Sequence, residues 1–167
     1  DARPWADRDT NPALRTSPVP GANDGASGVA VLLEVARVLK KNRPAVGVDI
    51  ALFDGEDLGT EKNPSGYCLG STRYVEWRRD DRPLFLILLD MVGKKDLSLR
   101  WEATSRAQAS NIVDMVWDEA RELGVRGFRS EPGPQVYDDH VPFLNAGIPA
   151  IDLIDLDFPE WHTTHDT

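Results

Sequence analysis

Cysteine is almost missing from this chain. Cys68 is the single one in 167 residues, which excludes an intrachain disulfide framework without fixing the compartment. With no second thiol nearby it reads as a small core hydrophobe. Basic residues are also scarce. Nineteen Lys and Arg face 28 Asp and Glu, for a formal net charge of −9, a balance that argues against a nucleic-acid or anionic-membrane surface. No apolar run is long enough to span a bilayer. There are no internal repeats, no low-complexity segments and no visible signal peptide. The chain begins at Asp1 without a methionine, which reads as the interior of a longer protein. What remains is ordinary for a globular domain with one sizeable core: 41% hydrophobic and 28% charged residues.

The chain is organised around Phe53-Asp54-Gly55-Glu56-Asp57-Leu58-Gly59. Residues 48–53 before it are apolar, β-branched and aromatic, and predict a buried strand. Gly55 allows a sharp turn, and two adjacent carboxylates, Glu56 and Asp57, then stand at the strand's carboxyl end, where open α/β sheets bind ligands. Acids so close raise each other's pKa unless a cation offsets them. A metal ion would do so, with one acid as ligand and its neighbour as proton carrier. A solvated acidic turn is the alternative reading of this motif taken alone.

Residues 1–20 predict an extended loop, with Trp5 packed onto the domain. A helix is predicted over residues 28–41 with an apolar stripe of Val29, Leu32, Leu33, Val35, Ala36 and Leu39. Asp24, just before it, is either an N-cap acid or a ligand. A short helix over 70–77, strands over 84–90, 97–101 and 148–154, a helix over 107–123 closed by Gly124, and a short helical stretch after Asp138-Asp139-His140 complete the pattern. Trp101 and Trp117 read as core, Trp77 as helix-face packing, and His165 as solvated. This alternation predicts an α/β fold: a three-layer α/β/α sandwich with a mainly parallel sheet. Asp24, Glu56, Asp57, Asp90, Asp138 and His162 all fall beside element ends that such a fold brings to one edge. Five acids and a histidine without thiolate form a donor set suited to zinc.

Five segments then carry a resemblance: P-G-A-N-D-G-A-S-G (20–28), F-D-G-E-D-L-G (53–59), L-L-D-M-V-G (88–93), D-D-H-V-P-F-L-N-A-G-I-P (138–149) and F-P-E-W-H-T (158–163). In this order the chain resembles the zinc exopeptidases of metallopeptidase family 28 and their relatives, the glutaminyl-peptide cyclotransferases. The resemblance implies an α/β/α sandwich on a mixed, largely parallel sheet. It implies Asp24, Asp57 and His162 as zinc ligands, Glu56 as general base or acid, and Asp138 as a hydrogen-bonding acid in cyclases. Asp90 would bind a second zinc in aminopeptidases or act as another such acid in cyclases. Trp161 would line the pocket, and Tyr137 would line or cover it. His140 points, by the family pattern, into the following helix as a hydrogen-bonding or packing residue. Dinuclear members carry an H-x-D motif of which Asp1 would be the aspartate. The expectation is therefore a single catalytic domain, residues 1–167, truncated at both ends and lacking its opening strands, with a one-zinc site complete within it.

The resemblance implies an enzyme acting on free peptide or protein N-termini, with no nucleic-acid partner. The Trp before His162 and the doubled Asp138-Asp139 favour the cyclases, which convert N-terminal glutamine to pyroglutamate with one zinc and release ammonia. Asp152, where vertebrate cyclases have histidine, and the loop after Asp57 depart from that pattern. The alternatives are a two-zinc aminopeptidase and an inactive binding domain of the same fold. Family members are usually exported, so the resemblance also implies an extracytoplasmic location.

Overall fold

A computed structural model describes residues 2–78 and 80–167 of the chain. Gly25, at φ 106, turns the backbone into helix α1, Ala26–Lys41, whose last turn carries Lys40 and Lys41 against the negative helix end. Helix α2, Leu69–Trp77, follows the acidic turn. Strand β1, Leu86–Asp90, is followed by β2, Leu99–Trp101. Two helices come next, α3, Ala103–Gln108, and α4, Ser110–Glu122. Strand β3 is Phe128–Pro132, α5 is His140–Asn145 and β4 is Ala150–Ile154. Both sheets are parallel: β1 pairs with β4 in register from Leu86 with Ala150 to Asp90 with Ile154, and β2 pairs with β3. The architecture is α/β, as expected.

Every residue of β4 is buried, so it is the centre of the fold. Ile151 and Leu153 on one side join Leu99, Ile112, Val113 and Trp117 in the main core. Ala150 joins Phe143 and Ile148 in a second cluster, against which Phe53 and Tyr74 pack. Phe53, Tyr74 and Phe143 meet with ring centroids 5.5–5.9 Å apart, a spacing suited to edge and tilted aromatic pairs. Helix α1 lies so close on β1 that a Cβ at Gly28 would stand 2.2 Å from the Leu89 carbonyl oxygen. Gly28→Ala is therefore expected to lower stability by about 1–3 kcal/mol, because backbone must move to admit one methyl group. A urea titration reads this directly, and an unchanged midpoint would contradict the packing.

Several expectations are corrected. The strand predicted over 48–53 does not form among the described residues: the segment joins no sheet, and Leu52 is 62% exposed. Its composition suits a strand, but a strand also needs a neighbour to fill its hydrogen bonds. Strand β1 pairs on one side with β4 and, among the described residues, with no strand on the other. The α1 stripe is correspondingly covered only in part: Leu33 is 67% exposed and Val29 and Ala36 are exposed as well, whereas Leu32, Val35 and Leu39 are half-buried. The helix predicted over 107–123 is two helices. Glu102 caps the first, its carboxylate accepting from Thr104 N and Ser105 N, and Ala109 at φ −137 breaks the path. Strand β3 was not predicted, since four of its five residues are exposed and no apolar alternation marks it. Trp77 is 78% exposed rather than packed, whereas Trp117 and Cys68 are buried as expected.

Candidate metal centre and acidic cavity

The turn that presents Glu56 and Asp57 is held from behind by the start of α2. Cys68 N donates to Glu56 O at 2.8 Å, Leu69 N to Gly55 O at 3.0 Å and Gly70 N to Asp54 O at 2.9 Å. Donors at a helix start have no partners inside the helix, so this use satisfies both sides. Gly55 sits at φ +67, as the sharp turn requires. Asp24 is presented by a second locked turn. Asp166 accepts hydrogen bonds from Asn23 N at 2.7 Å and Asp24 N at 3.0 Å. Asn23 Oδ1 accepts from Gly93 N, and Ser27 Oγ accepts from Val92 N, which fixes that turn to the end of β1. The capping alternative for Asp24 fails, because the cap residue of α1 is Gly25 and it receives no side-chain cap.

Asp24, Asp57 and His162 meet. One candidate ligand atom from each lies within 4.8 Å of the others. His162 Nε2 is 3.0 Å from Asp57 Oδ2 and 3.4 Å from Asp24 Oδ2. Ligand atoms at zinc–oxygen and zinc–nitrogen distances in a tetrahedral shell stand roughly 3.3–3.6 Å apart, so the set is near that spacing already. Asp24 Oδ2 is buried and has no hydrogen-bond partner among the described residues, an arrangement that leaves a lone pair for a cation. Two carboxylates and an imidazole without thiolate suit zinc.

The other predicted residues line the same cavity of about 750 Å³: Glu56, Asp90, Asp138, Tyr137 and Trp161. Trp161 lies tilted against His162 at 4.4 Å between ring centroids, and Tyr137 is largely exposed at the wall. Glu56 and Asp138 also approach Cys68 within ligand distance of one another. Burial, and then the charges of Asp138, Asp57 and Asp90, push the Glu56 carboxyl up to about 10. Burial pushes Asp24 and Asp138 to about 6, and drives Asp90 well above the usual carboxylate range. Cys68, Met91 and His162 are the non-glycine residues with positive φ among those described. All three are at or next to site residues, where such strain tends to be held.

His140 is fully buried on α5, with Nε2 3.3 Å from Glu102 Oε2 and Nδ1 3.9 Å from Asp152 Oδ2; it stays outside the ligand cluster. Glu102 also accepts from Val136 N at 3.0 Å, beside Tyr137 and Asp138. His165 is exposed, and Asp1 lies outside the described residues. Sequence reasoning missed Arg3, Asp7, Asp9, Glu102 and Asp166. Asp9 holds the far end of the chain, accepting from Thr164 N and Oγ1. The contacts that tie them to the site, Arg3 with Asp57, Asp7 with His162, Asp9 with Thr164, Glu102 with Val136 and Asp166 with Asn23, are remote in sequence and leave no local pattern.

The model of peptidase family M28 matches residues 5–167. The chain belongs to that family. This M28 chain is 30% identical to the bovine glutaminyl-peptide cyclotransferase, over 87% of its own length and 50% of the relative's. It is 34% identical to aminopeptidase YwaD of Bacillus subtilis, over 81% of its length and 29% of that protein's. The structure of Bacteroides thetaiotaomicron glutaminyl cyclase, solved with N-acetylhistamine, superposes with a TM-score of 0.92 at 38% identity, covering all of this chain and 62% of that one. The M28 chain thus spans about half the length of its bovine relative. The zinc-exopeptidase and cyclase fold expected from the motifs is the fold observed.

Proposed function

We propose that this M28 chain carries the one-zinc site of a glutaminyl-peptide cyclotransferase, which closes an N-terminal glutamine to pyroglutamate. The observation that supports the reading is the cavity lining: Trp161, Asp90 and Asp138 stand around Glu56 beside the single ligand cluster of Asp24, Asp57 and His162. A two-metal aminopeptidase would need Asp90 as a ligand, and the family's aminopeptidase relatives keep that reading as the alternative.

In this site Asp24, Asp57 and His162 would hold the ion. Bound zinc supplies a Lewis acid for the γ-carboxamide oxygen and a positive charge that favours ionised Glu56. Glu56 accepts a proton from the substrate's α-amine as its nitrogen bonds to the γ-carboxamide carbon. Glu56 then returns that proton to the leaving nitrogen, the carbon–nitrogen bond breaks, and ammonia departs. Asp90, held protonated by burial, donates a hydrogen bond while the ring closes, and Asp138, which burial pushes to about 6, shares protons beside it. Trp161 and Tyr137 confine the substrate, and holding the near-attack geometry accounts for as much as ~7–11 kcal/mol of the barrier.

The uncovered apolar residues of the 46–52 segment and α1 support reading the chain as part of a longer catalytic domain, so the test uses the full-length polypeptide. Gln-aminoacyl and Leu-aminoacyl fluorogenic substrates are compared with zinc content on the same sample. Cyclisation of the glutamine substrate with ammonia release and one zinc per chain is expected. Hydrolysis of the leucine substrate without cyclisation would replace this reading with the aminopeptidase one.

A further inference from the structure

The sequence reads residues 2–9 as plain loop, yet Arg3 is 5% exposed. A guanidinium has five N–H donors in a rigid fork, and here each finds an acceptor. Nη1 donates to Asp57 Oδ1 at 2.5 Å and to the Asp57 carbonyl at 3.3 Å. Nη2 donates to the Gly59 carbonyl at 3.4 Å and to Asp7 Oδ2 at 2.8 Å, and Nε donates to Asp7 Oδ2 at 3.1 Å. Arg3 therefore grips both the backbone and the side chain of Asp57, and Trp5 lies 5.1 Å from its guanidinium carbon. With Oδ1 engaged by Arg3, Oδ2 is the Asp57 oxygen that faces His162 Nε2.

Asp7 continues the path. Its other oxygen, Oδ1, stands 3.6 Å from His162 Nδ1, the ring nitrogen turned away from Asp57 and Asp24. That is just beyond hydrogen-bond length. The backbone agrees with the side chains: Arg8 N donates to the His162 carbonyl at 3.2 Å, and the Arg8 guanidinium lies 4.3 Å over the Trp161 ring. Asp57, Arg3, Asp7 and His162 thus form a closed ring of polar contacts around the ligand cluster.

We propose that Arg3 and Asp7 are positioning residues for the metal centre, Arg3 fixing which Asp57 oxygen faces the cation and Asp7 fixing the tautomer and ring orientation of His162. The inference rests on Asp24, Asp57 and His162 being the ligands. Its physical basis is general. A metal-binding imidazole is oriented by the acceptor on its other nitrogen, a ligating carboxylate is itself hydrogen-bonded, and loss of such a partner costs typically 10–100-fold in metal affinity. Arginine matters here for its fork as much as its charge, since lysine offers a point charge without the planar geometry.

The test uses Arg3→Lys, which keeps the charge and removes the fork, and Asp7→Asn, which keeps the shape and removes the anion, in the full-length polypeptide. Zinc affinity is measured by competition with a chelator, and the visible spectrum of the cobalt(II) form reports ligand geometry. Both variants are expected to bind zinc roughly 10–100-fold more weakly than the parent, with an altered cobalt spectrum. A role confined to loop packing would shift the melting temperature and leave the spectrum unchanged. If Arg3→Lys does not fold, Asp7→Asn, whose side chain is half-exposed, decides alone. Parent-like affinity and spectrum in the folded variants would overturn the inference. A parent that binds no zinc would instead overturn the ligand assignment beneath it.

Discussion

Glu56→Gln is expected to keep its zinc and lose roughly 10²–10⁴-fold in turnover, the usual contribution of a positioned proton-transfer group. Asp57→Asn is expected to lose the metal, by more than the 10–100-fold that removal of an outer partner typically costs. The residues are neighbours, so what separates them is direction. Asp57 has one oxygen on Arg3 and the other facing His162. Glu56 borders the open cavity beside Asp138 and Cys68. Both substitutions are nearly isosteric, so neither should open a void in the fold. Zinc per chain and turnover of a glutamine substrate, measured on one preparation, decide the matter. Loss of zinc in Glu56→Gln with retention in Asp57→Asn would exchange the two roles. Two silent variants would reduce the turn to a solvated acidic loop.

The candidate ligand set was legible because each member sits in a short segment that carries the family resemblance: a small-residue turn before a helix, paired acids after an apolar run, a Trp-His pair near the last strand. Such patterns survive without knowledge of packing. The parts that escaped are nonlocal. Arg3 reaches Asp57 across 54 residues, and Asp166 reaches Asn23 across 143. Those contacts join segments far apart in the chain, and no periodicity announces them. The strand errors have the converse origin. Residues 48–53 have a strand's composition but no pairing partner among the described residues, whereas Phe128–Pro132 has a partner in β2 but a polar, exposed surface, including an Arg100–Glu131 ion pair. Periodicity reports burial, and burial is decided by what packs alongside.

Metal-free protein is expected to melt at a higher temperature near pH 5 than near pH 7.5, and zinc is expected to reverse that order. Burial raises the folded-state pKa of Asp24 and Asp138 to about 6, of Glu56 to about 10, and of Asp90 and Asp152 well above the usual range. Unfolded, all five ionise near pH 4. Above that pH the folded chain binds more protons than the unfolded one. Stability changes with pH as 2.303RT times unfolded minus folded protons, so the slope is negative and stability falls as pH rises. Asp24 and Asp138 contribute their loss up to about pH 6, and Glu56, Asp90 and Asp152 extend it through neutrality. Glu102 runs the other way, its pKa lowered to about 2 by hydrogen bonds from His140 and Ser105 that outweigh its burial. Its window closes below pH 5 and leaves the comparison untouched. Zinc changes the sign because its ligands must be deprotonated to bind it, so its stabilisation grows with pH. Each kcal/mol corresponds to about 2–4 °C for a domain of this size. Thermal melts with a chelator and with zinc at the two pH values give four numbers. Chelated protein as stable at pH 7.5 as at pH 5 would mean that these carboxyls are not held protonated by the fold.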